Sequence, residues 1–451
     1  MIANPSTPLM AGLQPYPEYK ESGLPWSAQL PSHWKQERAK WLFTKMDRPV
    51  GENDEVVTCF RDGKVTLRKN RRSRGFTEAI YEFGYQGIRK GDLVIHAMDA
   101  FAGAVGVSDS NGKGTPVYAV CQPKTGVNAH YYAFIIREMA RSQWILALSR
   151  GIRERSTDFR YDTFGGQRVP LPPPSEQAAM VRFLDWANGR LERAIRAKRK
   201  VIALLHEQKQ AIIHRAVTRG LNAEAAFKPS GIPWLGNIPE HWEVWPLRRC
   251  ISIRSGDFID GSKLKNERSD SSPIPVIGGN GIMGFADRSN VSGLTIVIGR
   301  VGALCGNVHL VKEAAWITDN ALRITRMVGF DAGYLAEQLR VMNLNLLANA
   351  NAQPLVTGGV IKTQRVVKPP QDEQQRITDA LQTLYVPVTS ALSRLDREIG
   401  LLREYRTRLV ADVVTGKLDV RPAARDLPAE PRAPELAPEE SSEPETEETE
   451  A

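Results

Sequence analysis

The stretch Tyr19-Lys-Glu-Ser-Gly-Leu-Pro-Trp-Ser-Ala-Gln-Leu-Pro-Ser-His-Trp34 returns as Phe227-Lys-Pro-Ser-Gly-Ile-Pro-Trp-Leu-Gly-Asn-Ile-Pro-Glu-His-Trp242, at a constant offset of 208. Lys, Ser-Gly, Pro-Trp, Pro and His-Trp coincide, and Trp and His are too rare for chance to align them repeatedly. A second pair lies at offset 197, where Pro172-Pro-Pro-Ser-Glu-Gln177 matches Pro369-Pro-Gln-Asp-Glu-Gln374. Val217, Thr218 and Leu221 match Val414, Thr415 and Leu418 at that same offset. The chain is therefore a duplication whose halves share a frame and differ in what the frame encloses. Each half reads as a Trp/Pro entry, about 130 residues of Gly-punctuated strand and helix pattern, a proline cluster and a long helix.

The helices carry the clearest periodicity. Leu184, Leu191, Leu205 and Ile212 fall on one heptad position, and Ile195, Ile202 and Ala216 on the other. Asn188, Lys198 and Lys209 interrupt that seam. The second copy has Leu381, Val388, Leu395, Leu402 and Leu409 with Tyr385, Leu392, Ile399 and Val413, interrupted by Arg406. Such a pattern is of coiled-coil length, and roughly 40 residues of helix would span about 60 Å. Asn188-Gly189 and Pro387 are expected to break each helix into a short and a long piece. Gly220 and Gly416 are expected stops. The helices either pack into separate globular cores or pair with each other. Their shared register favours pairing, most simply antiparallel, with the two mixed domains at opposite ends of a rod.

Composition narrows the function. The last 31 residues hold three basic and ten acidic side chains and six prolines, and are expected to be disordered. The first 420 therefore carry a net charge of +16 against +9 for the whole chain, a balance that suits a polyanion such as DNA or RNA. No run of 18 apolar residues occurs, and residues 1–20 lack the charge and hydropathy of a secretory signal. Cys59, Cys121, Cys250 and Cys305 form no CxxC pair, which fits a reducing cytoplasm and buried small residues rather than zinc or disulfides.

These features resemble the specificity subunit of type I restriction–modification systems. The carriers are Ser230-Gly-Ile-Pro-Trp-Leu-Gly-Asn-Ile-Pro-Glu-His-Trp-Glu243 with its weaker copy from Ser22 to Trp34, the paired Glu-Gln helix entries, and the helix ends at Val217-Thr218 and Val414-Thr415-Gly416. Gly278-Gly-Asn-Gly-Ile-Met-Gly-Phe285 followed by Ile298-Gly-Arg-Val-Gly302 is similar to one class of target-recognition domain, and Gly91-Asp-Leu-Val-Ile95 with Gly103-Ala-Val-Gly106 to another. In the first copy Ser27-Ala-Gln-Leu replaces the usual Leu-Gly-x-Ile. The resemblance implies an α+β fold: two mixed α/β target-recognition domains in tandem duplication, joined by two long helices pairing as an antiparallel coiled coil. Its expected parts are an extension (1–18), a first recognition domain (19–168), a first helix region (169–220), a second recognition domain (221–368), a second helix region (369–420) and the acidic tail (421–451).

The resemblance further implies a non-catalytic reader of double-stranded DNA. Each domain would bind one half of a bipartite asymmetric site. The helices would set the spacer and dock two methyltransferase subunits, with restriction subunits joining and no membrane involved. No cofactor is expected on this chain. S-adenosylmethionine belongs to the methyltransferase partner, and ATP and Mg to the restriction partner. A self-sufficient DNA-modifying enzyme and a duplicated protein-binding scaffold are the alternatives.

Candidate DNA contacts start at the densest basic run, with Arg68, Lys69, Arg71, Arg72 and Arg74; Arg can grip phosphate or guanine bidentately. Arg89-Lys90 is a weaker candidate. In the second half Lys263, Lys265 and Arg268 suit phosphate, Asn280 suits adenine from a glycine-rich turn, and Arg300 follows a strand-like run; Asn320 is a lesser candidate. Helix pairing is assigned to Leu191, Ile195, Ile202, Leu205, Ile212, Leu392, Leu395, Ile399, Leu402 and Leu409. Trp26, Trp34, Trp234, Trp242, His33 and His241 belong to the shared frame, so they are expected to pack rather than read bases. Gly256-Asp-Phe-Ile-Asp-Gly-Ser-Lys263 has its lysine out of place for a phosphate loop.

Overall fold

The computed structural model describes residues 13–71, 83–148, 158–232, 234–349 and 353–428. Four helices organise it: α1 (Ala129–Arg141), α2 (Pro174–Arg219), α3 (Ala332–Val341) and α4 (Gln371–Val414). The chain separates into two compact units, Met1–Ala197 with Glu398–Ala451, and Lys198–Arg397. The division passes through α2 and α4, so each unit holds the first half of one long helix and the second half of the other.

Each unit is built on a four-stranded antiparallel sheet. In the first unit the strand order is Phe43–Lys45, Tyr118–Pro123, Leu93–His96, Val105–Val107. In the second it is Ile251–Ser255, Ala321–Met327, Thr295–Gly299, Val308–Val311. Numbered along the chain, both sheets run first, fourth, second, third. The regions that looked unlike in sequence thus share one topology. Both sheets are covered on two faces, which explains their nearly unbroken apolar strands. Leu93 and Ile95 join the core that holds α1, while Val94 joins a second cluster with Val57 and Val65. Ile296 and Ile298 face α3, and Val297 turns to Ile277 and Ile317. That split is the two-residue period of a strand.

Between the first and second strands of each sheet lies an insertion, and here the units part. The first carries the hairpin Val57–Cys59 with Val65–Leu67. The second carries the hairpin Ile274–Gly278 with Gly281–Ala286, extended by Trp316–Ile317 parallel to its first strand.

The long helices pack antiparallel within each unit. In the first, Glu192 of α2 meets Arg406 of α4 at 3.2 Å, and Leu184 and Ala187 share a core with Leu409 and Val413. In the second, the Lys209 ammonium lies 4.6 Å from the Tyr385 ring centroid, and Ile213 and Ala216 share a core with Ile377 and Leu381. Lys209 and Arg406, the two charges that interrupt the heptads at equivalent positions, are thus each matched by the facing helix. Leu191, Ile195, Ile399 and Leu409 are buried; Ile202, Leu205, Ile212, Leu392, Leu395 and Leu402 are half-buried.

Two expectations are corrected. Neither helix breaks: α2 runs 46 residues through Asn188-Gly189, and α4 runs 44 through Pro387. An interior proline costs a helix about 3 kcal/mol and a glycine about 1 kcal/mol. The burial of Ala187 and Leu191 beside the glycine, and of Leu381 before the proline, holds the helical path. The tail also begins later than composition suggested. Residues 421–428 are folded, with Arg421–Arg425 helical and Ala424 buried. Arg421 bonds Asp419 and Glu176, and the Arg182 guanidinium donates to the Leu427 carbonyl at 2.8 Å. Residues 429–451 lie outside the described residues.

Candidate nucleic-acid interface

The repeated tryptophans and histidines serve the frame. Trp34 is fully buried, and its indole Nε1 donates to Glu176 Oε2 at 2.9 Å while His33 Nε2 lies 2.8 Å from Glu176 Oε1. The second unit repeats the arrangement with Trp242, His241 and Glu373, at 3.1 and 2.8 Å. Each glutamate sits in the first turn of a long helix, where the exposed backbone N–H groups also favour negative charge. The following residue, Gln177 or Gln374, accepts the backbone N–H of the residue that caps α1 or α3, Asn128 or Asp331. The Glu-Gln pair therefore joins entry segment, long helix and mixed α/β domain.

The far ends of the helices close the same junctions. Tyr131 of α1 donates to the Val414 carbonyl of α4 at 3.0 Å, and Tyr334 of α3 donates to the Val217 carbonyl of α2 at 3.1 Å. Gly416 has a positive φ of 76°, and a Cβ there would stand 2.5 Å from Pro31 and 2.8 Å from Trp34. The sequence motifs Val-Thr and Gly at the helix ends are thus docking points. Tyr131 and Tyr334 escaped sequence reasoning because they lie 203 apart, at neither frame offset. Tyr16 adds a phenol to Glu176 at 3.1 Å in the first unit, and burial, then the nearby carboxylate, pushes its pKa well above the ordinary range.

Most of the predicted DNA contacts that the structure describes fall on the insertions; Arg300 and Asn320 instead follow the second strand and precede the fourth strand of the second sheet. Arg68, Lys69 and Asn70 form one turn directly after the Val65–Leu67 strand. Arg68 Nε donates to Thr58 Oγ1 at 3.3 Å, Lys69 pairs with exposed Glu55 at 2.5 Å, and Arg71 pairs with Asp62 at 2.8 Å while its guanidinium lies over Phe60. Arg72 and Arg74 lie outside the described residues. Arg89 is tied to Asp54 at 3.2 Å, whereas Lys90 is exposed. In the second insertion Lys263, Lys265 and Arg268 are exposed and have no ion pair among the described residues. Gly261–Lys263 is a single turn capped by Asp260, with none of the helix that a phosphate loop requires.

Asn280 occupies the turn of the second hairpin and borders an open cleft of about 580 Å³ with Asn320 and Gln353. Glycines make that site. A Cβ on Gly299 would lie 2.5 Å from the Gly279 carbonyl, and one on Gly279 would lie 3.3 Å from the Asn320 carbonyl. The turn therefore rests directly on the sheet, bringing Asn280 beside Asn320. Arg300, next along, is half-buried and donates to Ser255 Oγ and the Asp319 carbonyl, both at 3.3 Å, so it ties neighbouring segments together and is not part of the cleft lining. Sequence reasoning missed Gln353, which comes from a distant segment. It also missed exposed Ile282 and Met283, whose place on the hairpin's outer side depends on tertiary structure.

All four cysteines are buried, and burial pushes the thiols of Cys59, Cys121 and Cys250 up, away from the nucleophilic thiolate. Among the described residues, no three His, Cys or carboxylates could hold a metal ion, and no helix is long and apolar enough to cross a membrane.

Comparison with known proteins agrees with this layout. Residues 239–399 match the family described as type I restriction modification DNA specificity domain. Over 151 residues the chain is 29% identical to the type I restriction enzyme EcoprrI specificity subunit of Escherichia coli, covering 34% of this chain and 37% of that one. Over 102 residues it is 32% identical to the MjaVIII specificity subunit of Methanocaldococcus jannaschii, covering 22% of each. The aligned segments thus span well under half of those relatives. In fold, a chain from a structure titled for complex assembly and conformational transition of the type I R-M system matches with a TM-score of 0.61 at 16% identity, over 86% of this chain and 99% of that one.

Proposed function

We infer that a chain whose residues 239–399 form a type I restriction modification DNA specificity domain is the sequence reader of such a system, itself without catalysis. The observation that carries this reading is the placement of difference. Two units share frame and sheet topology, and they diverge in the insertions, which bear exposed cations and, in the second unit, the Asn280 turn that forms one side of the amide-lined cleft. A reader of two unlike half-sites needs that division: common parts for geometry, variable parts for bases. Lys and Arg contacts to phosphate supply affinity, and base-edge contacts supply discrimination.

The long helices set the distance between half-sites and dock two methyltransferase subunits in the cytoplasm, with restriction subunits joining that core. S-adenosylmethionine is held by the methyltransferase, and ATP and Mg by the restriction subunit. The buried residues Leu191, Ile195, Ile399 and Leu409 belong to the helix pairing on which this role rests.

Selection from a randomised duplex library by the full chain with its methyltransferase partner tests the reading. A split motif with unlike halves and a fixed gap is expected. The chain alone, given DNA and S-adenosylmethionine, is expected to transfer no methyl group. Methyl transfer by the chain alone would make it an enzyme, and no enriched motif would leave only a protein scaffold.

A further inference from the structure

Among the described residues, the cleft of the second unit has a lining without charge. Its polar side chains are three carboxamides, Asn280, Asn320 and Gln353, and its apolar rim includes Ile282, Met283 and Leu304. The three apolar side chains of the rim are exposed, although large apolar groups ordinarily avoid water. The cavity of about 210 Å³ in the first unit contrasts with it, being lined by Lys45, Asp47 and Arg160 among others.

Resting on the DNA-reading function above, we propose that this cleft selects A·T base pairs in the second half-site, through Asn280 and Asn320 on adenine and Ile282 and Met283 on the thymine methyl. Major-groove chemistry makes the choice. Guanine is read by Arg or Lys donating to O6 and N7, and cytosine by a carboxylate accepting from N4. Among the described residues, neither group lines the cleft. A carboxamide offers the donor for adenine N7 and the acceptor for adenine N6, and an apolar side chain favours the thymine methyl.

Asn280 is held in the state this needs. Asn307 Nδ2 donates to Asn280 Oδ1 at 3.2 Å, which tethers the amide. Its Nδ2 has no acceptor among the described residues, and Oδ1 keeps a second lone pair. The close stacking of Gly279 on Gly299 and the Asn320 carbonyl limits the motion of the turn. The exposed cations Lys263 and Lys265 belong to the same insertion, and Lys265 pairs through its backbone with Phe285 of the hairpin. Phosphate grip and base reading therefore come from one substructure.

The test is selection of a randomised duplex library by the full chain with its methyltransferase partner, for wild type, Asn280→Asp and Asn320→Asp. Both side chains line the open cleft and the substitutions are isosteric, so the fold is retained. The wild type should enrich A·T at one or two positions of a half-site. Asn280→Asp, now an acceptor only, should lose that preference by about tenfold or more and move it toward cytosine. Ile282→Ala with Met283→Ala should abolish discrimination between thymine and uracil at the partner position. A half-site composed of G·C pairs alone, or asparagine variants that keep the wild-type motif, would overturn this assignment while leaving the DNA-reading function standing. Absence of any motif in the wild type would overturn both.

Discussion

Glu176 and Glu373 are the residues on which the frame turns. Each gathers a buried indole N–H and a histidine at the first turn of a long helix. Trp34→Ala or Trp242→Ala should therefore lower stability by about 3–5 kcal/mol, through the cavity left by a fully buried indole and the loss of its hydrogen bond to the glutamate. Thermal or denaturant unfolding measures it. Glu373→Gln should cost about 1–3 kcal/mol, since one charge-assisted acceptor is lost while the shape is kept. The chain should also lose stability in mild acid. Burial lowers the pKa of His96 and of His309. The unfolded chain then takes up protons near pH 6.5 that the folded chain refuses. The resulting stability is complete above about pH 6.5 and declines as pH falls through the depressed folded values. Unfolding at about pH 7.5 and about pH 5.5, on either side of the ordinary histidine value, reads this difference, and replacing both histidines by glutamine should shrink it.

At the scale of elements, the helices were legible and their continuity was not. Heptads at Leu184–Ile212 and Leu381–Leu409 gave length and register because an apolar seam repeats whatever the neighbours are. Pro387 and Asn188-Gly189 misled because local preference is only a few kcal/mol, and packing of Leu381, Ala187 and Leu191 exceeds it. The tail boundary failed for the same reason: Arg421 is one cation in an acidic, proline-rich run until Asp419 and Glu176 are seen beside it. The basic run at Arg68 and the turn at Asn280 could be flagged from sequence, but the amide cleft could not, because Asn280, Asn320 and Gln353 meet only through folding. At this scale Leu409→Ala should destabilise the chain by about 2–5 kcal/mol, as expected for a fully buried leucine, and leave the selected DNA motif unchanged. Unfolding and library selection on one preparation check both parts. In contrast, Lys263→Ala with Lys265→Ala should leave stability alone and weaken binding to all sequences alike. Plotted against log salt concentration, log Kd should then rise less steeply, by about 0.9 for each phosphate that a lysine no longer neutralises.

For the whole molecule, duplication gives one chain two units with a shared architecture and unlike insertions, which is what the proposed reading of two half-sites requires. The frame fixes each mixed α/β domain to the start of one long helix and the end of the other, as Tyr131 on Val414 and Tyr334 on Val217 show. Equal lengthening of both helices by matched whole turns should then change the gap of the recognised site and neither half-site. Base modification mapped across the source genome, with and without this gene, tests the central claim most directly. The account predicts a split motif with unlike halves that disappears when the gene is removed. A map that stays the same without the gene would contradict it.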